Sequence, residues 1–86
     1  MWDIYFTHQA QQDAKKIAES NLKYKVERLL DIIKEDPLAY PPKYEILKGK
    51  MKGFVSRRIN KQHRLVYQVY EKSKVIKILK MWTHYE

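Results

Sequence analysis

Residues 52–70 read KGFVSRRINKQHRLVYQVY, and the two strands within them decide the architecture. Residues 54–59 and 64–70 combine β-branched and aromatic side chains with three arginines, and each reads as a strand. Asn60-Lys61-Gln62 between them is a polar turn, so the two strands form a hairpin. The length of that turn sets which side chains share a face. With three loop residues Arg58 stands opposite Arg64; with two or four, Arg64 shares its face with Arg57 instead. In either register two guanidiniums lie side by side, where like charges repel. An anion between them relieves the repulsion, and the guanidinium fork matches phosphate oxygens. Tyr67 and Val69 are the core candidates of this hairpin.

The flanking segments supply the other elements. Residues 2–6 (WDIYF) are short, aromatic and β-prone, which predicts a first strand. Thr7 then caps a helix whose apolar face is Ala10, Ala14, Ile17 and Ala18. Ser20 or Asn21 ends it and caps a second helix, in which Leu22, Val26, Leu29, Leu30 and Ile33 recur at helical spacing until Asp36-Pro37. So brief a link predicts an antiparallel helical hairpin. Residues 44–47 read as a strand and 49–53 as a basic connection. Residues 75–82 (VIKILKMW) are the most continuously apolar stretch and are expected to be a central strand. The order β-α-α-β-β-β-β predicts an α+β fold, two helices on one face of an antiparallel sheet with the charge on the other.

Composition narrows the chemistry. Eighty-six residues make a single domain, 1–86, with a small core that a partner or a second copy would help to cover. The chain has no cysteine, so disulfides and thiol nucleophiles are excluded. The opening MWDIYFTHQA has neither the basic start nor the apolar run of a signal peptide. No segment approaches the roughly 20 apolar residues of a membrane span, so a soluble, cytoplasmic protein is expected. Residues 1–42 hold six Lys/Arg against seven Asp/Glu, whereas residues 43–86 hold twelve against three. The net charge of +8 therefore comes from one half of the chain, which points to a polyanionic partner such as nucleic acid.

Two residues in that half, Glu45 and His84, carry possible acid–base chemistry, and Tyr85 lies beside the second. Glu45 is the one acid between Asp36 and Glu71, set among Lys43, Lys48, Lys50 and Lys52. Spacing alone reads it as a surface glutamate in a local salt bridge; the alternative is a general base for a ribose 2′-hydroxyl. His84, just beyond the last strand, is suited to protonating a 5′-oxygen leaving group near neutral pH. Tyr85 is open to packing, base stacking or phosphate contact. His8 and His63 read as exposed bystanders, and the three histidines form no metal-ligand spacing.

Glu45-Ile46-Leu47-Lys48, Gly53-Phe54, Ser56-Arg57-Arg58-Ile59, His63-Arg64-Leu65-Val66-Tyr67 and the closing His84-Tyr85 together resemble the YoeB/Txe toxins of the RelE superfamily. The resemblance implies a RelE-like fold of two helices on a twisted antiparallel sheet. It implies a ribosome-dependent endoribonuclease that cuts A-site mRNA without a metal or other cofactor, in contact with ribosomal RNA. Glu45 would then be the general base, Arg64 the phosphate stabiliser, His84 the general acid and Tyr85 the residue placing the scissile nucleotide. Lys48, Lys50, Lys52, Arg57 and Arg58 would contact RNA and its phosphates. Expected partners are an antitoxin of the YefM/Axe kind, through which operator DNA would be reached, and a second copy in a homodimer; no membrane is involved. The alternatives are a non-catalytic RNA- or ribosome-binding module and an antitoxin-binding co-repressor. The chain departs from the family's Lys-Pro-Glu-Pro-Leu-Lys run in lacking its prolines, from the aromatic-rich first helix in having THQAQQDAKK, and from the terminal tyrosine in adding Glu86.

Overall fold

A computed structural model describes residues 1–48 and 53–82. The described residues form β1 (Asp3–Phe6), α1 (His8–Ala18), α2 (Lys23–Glu35), β2 (Glu45–Ile46), β3 (Val55–Arg58), β4 (Arg64–Tyr70) and β5 (Val75–Lys80). The strands make one sheet in the order β1-β5-β4-β3-β2. This is the expected α+β arrangement with two refinements. The expected sheet was wholly antiparallel, but β1 joins β5 in parallel, Ile4 against Ile76 and Phe6 against Ile78. The expected centre was the last strand, yet β4 holds the middle and β5 lies between β4 and β1. Both strands have neighbours on each side, which is what their apolar runs require.

Local chemistry explains each boundary. Thr7 Oγ1 accepts the Ala10 amide 3.1 Å away, capping α1, and also donates to the Leu79 carbonyl at 2.9 Å. One hydroxyl thus starts the helix and ties it to the end of β5. Ser20 closes α1, donating to the Ile17 carbonyl and accepting the Leu22 amide, but α2 begins at Lys23 with Leu22 in the cap position and no side-chain cap. The expected second cap is therefore absent. Beyond α2, Asp36 Oδ1 accepts the Leu38 amide and turns the chain into the stretch before β2.

Both helices bury one side against one face of the sheet. Ala10 and Ile17 of α1, with Leu22 and, from α2, Val26, Leu29 and Ile33, pack with Val55, Leu65, Tyr67, Ile76 and Ile78. Val69 is partly buried against the same cluster. Ala18, placed on the inner face by spacing, is exposed, and the fully buried Asp13 lies in that face instead. The opposite face of the sheet carries Glu45, Arg58, Arg64 and Lys80, so polar chemistry and core are separated by the pleat.

Candidate functional site

The hairpin turn settles the register. Ile59 N donates to His63 O, Asn60 Oδ1 accepts the amides of Gln62 and His63, and Arg58 pairs directly with Arg64. This is the three-residue alternative, so Arg58 and Arg64 share a face and Arg57 points the other way. On the next strand Glu45 stands opposite Ser56, on the same face as the two arginines. These four residues, with Lys43 and Tyr44, line a concavity of about 180 Å³. Glu45, Lys43 and Arg58 are exposed, Arg64 is half-buried and Ser56 is buried.

Charge within the concavity is unbalanced. Three cations face one carboxylate, and among the described residues Glu45 forms no ion pair, so the local salt bridge that spacing alone favours is not made. An anionic ligand would neutralise the surplus. Lys43, Tyr44 and Ser56 are not among the site residues read from the sequence. Register offers a signal for two of them: Ser56 precedes Arg58 by the strand period, and Lys43 precedes Glu45.

Arg57, expected among the phosphate ligands, is a structural residue instead. It is fully buried on the core face. Its Nε donates to Tyr67 Oη at 2.8 Å, Nη1 to the Pro42 carbonyl at 2.7 Å, and Nη2 to the carbonyls of Ala39 at 2.8 Å and Pro37 at 3.2 Å. The guanidinium also lies 4.8 Å from the centre of the Tyr44 ring. Pleat alternation explains the change of role: adjacent arginines on a strand must face opposite sides. Burial pushes the Tyr67 phenol above its ordinary value of 10.0, partly offset by the Arg57 hydrogen bond and charge.

The chain leaving β5 is held at two points. Asp13 Oδ2 accepts the Met81 amide at 2.9 Å and the Trp82 amide at 3.2 Å, while Gln9 Nε2 donates to its Oδ1 at 2.9 Å. Trp82 stacks on His63 with ring centroids 4.0 Å apart. His63 is thus buried rather than an exposed bystander, because the indole covers it. Residue 82 therefore lies beside the turn that leads into Arg64. His84, Tyr85, Lys50 and Lys52 lie outside the described residues. Lys48 is exposed and does not line the concavity.

A family described as YoeB-like toxin of bacterial type II toxin-antitoxin system matches residues 1–85. A Streptomyces coelicolor protein named Toxin YoeB is 40% identical over 75 residues, covering 85% of this chain and 89% of its own length. Among solved structures, a YoeB-YefM complex from Staphylococcus aureus contains a chain with TM-score 0.83 and 38% identity, and 99% of each chain is covered. A YoeB dimer from the same organism gives 0.82 and 37%, with 98% of each chain covered.

Proposed function

This chain belongs to the YoeB-like toxins of bacterial type II toxin–antitoxin systems, within the RelE superfamily, and on that premise we infer that it is a ribosome-dependent endoribonuclease cutting A-site mRNA in the cytoplasm. The observation that carries the reading is the convergence of Glu45, Arg58 and Arg64 on one concavity of the polar face. Glu45 takes the proton of the ribose 2′-hydroxyl, and the 2′-oxygen attacks the adjacent phosphorus. Arg64, with Arg58, holds the non-bridging oxygens as negative charge builds on them. His84 donates a proton to the departing 5′-oxygen, and Tyr85 places the nucleotide. The products are a 2′,3′-cyclic phosphate and a 5′-hydroxyl. The reaction relies on the positioning of its groups and on charge stabilisation of the phosphate.

Lys48, Lys50 and Lys52 contact the RNA backbone or ribosomal RNA in this scheme. The complexed and dimeric relatives support an antitoxin of the YefM kind as partner and self-association as a dimer. Operator DNA is then approached through the antitoxin.

The test is cleavage of mRNA on translating ribosomes by purified protein, with 5′ ends mapped. Wild type should cut within reading frames. His84→Gln and Glu45→Ala should each lower the single-turnover rate by about two orders of magnitude or more, the range expected for removing a positioned acid or base. Full cleavage by either variant would remove that residue from the mechanism. Salt-sensitive ribosome binding without any strand scission would favour the non-catalytic binding module.

A further inference from the structure

The buried Arg57 is used by none of the chemical steps above, yet its surroundings are specific. An arginine inside a core is costly to desolvate unless its N–H groups find acceptors. Here the acceptors are no carboxylate. They are three main-chain carbonyls, Pro37, Ala39 and Pro42, all from the irregular stretch between α2 and β2. Tyr67 Oη completes the set by accepting from Arg57 Nε and donating to Pro37 O. One planar fork thus gathers a segment that has no ladder of its own, and the cation also rests against the Tyr44 ring, which meets the Tyr40 ring edge-to-face with centroids 6.1 Å apart.

That segment runs directly into the candidate site. Lys43, Tyr44 and Glu45 line the concavity, and Glu45 begins β2, a two-residue strand at the sheet edge. So short a pairing holds its residues weakly on its own. Arg57, one residue from Arg58 on β3, reaches the same segment through the sheet from the core side. We propose that Arg57 and Tyr67 are positioning residues: they clamp residues 37–44 by their carbonyls and thereby set the place of Lys43 and Glu45 against Arg58 and Arg64.

This proposal rests on the nuclease reading for its kinetic consequence but not for its structural one. Two variants test it. Tyr67→Phe keeps the ring and removes the hydroxyl; Arg57→Lys keeps the charge and removes the fork. Amide exchange at Tyr44 and Glu45 should speed up at least about tenfold in both, with β4 and β5 amides unchanged, as expected for local rather than global opening. On programmed ribosomes kcat should fall about tenfold or more, with KM within about twofold of wild type, because misplacing a reacting group costs rate rather than binding.

Unchanged exchange at Tyr44 and Glu45 in both variants would overturn the clamp. Uniformly faster exchange across the sheet in both would overturn it too, reducing the pair to general stability. A wild-type chain that cuts no mRNA would overturn the nuclease reading, while the exchange comparison would still decide the clamp.

Discussion

Asp13 and Tyr67 are polar groups inside an apolar core, and each has an assignable task. Asp13 supplies the acceptor for two consecutive amides at the end of β5, 68 and 69 residues away in sequence. Asp13→Ala would leave those amides without that acceptor and should cost about 2–4 kcal/mol of unfolding free energy, whereas Asp13→Asn, which keeps one oxygen, should cost less. Urea unfolding of the two variants checks the order. For Tyr67 the sign follows from linkage. Its folded value is raised, so the folded state holds the phenolic proton more firmly than the unfolded one. The associated stability is complete below the ordinary value of 10.0 and is lost as pH rises through the higher folded value. Wild type should lose urea resistance more steeply above pH about 10 than Tyr67→Phe; parallel profiles would remove Tyr67 from the alkaline response.

At the scale of elements, the β3–β4 hairpin carries both the core and the candidate site, and its register keeps them apart. A glycine inserted between Lys61 and Gln62 lengthens the turn to four residues and leaves Arg58 opposite Arg64, so the protein should melt within roughly 10 °C of wild type by circular dichroism, the cost of a longer loop being small. Loss of cooperative unfolding in that variant would show that the three-residue turn itself fixes the register.

Across the whole molecule, the charge asymmetry of the sequence becomes a division between faces. The helices shield one side of the sheet, where Arg57 is buried, and Arg58, Arg64 and Lys80 lie on the other. Binding to programmed ribosomes should therefore weaken linearly in log affinity with log salt. Arg58→Gln should reduce the magnitude of that slope by about 0.7–0.9, the contribution of one phosphate contact. An unaltered slope would show that Arg58 meets no phosphate.

Periodicity, caps and charge determine much of this protein from the sequence itself. Most of the two helical faces, Thr7 as a cap, the strand of 64–70 and the basic half are local properties that local spacing reports, with Ala18 and Asp13 as the exceptions. The pairing of Arg58 with Arg64 was legible only as one of two alternatives, because a strand sequence does not state its partner's register. Arg57 and His63 were misread for a related reason. Their residue types suggest solvent, but burial depends on which carbonyls and rings approach from elements distant in sequence. Tertiary structure alone decided that β1 lies parallel to β5, that Asp13 holds the end of β5, and that one arginine of an adjacent pair is buried in the core while the other faces the concavity.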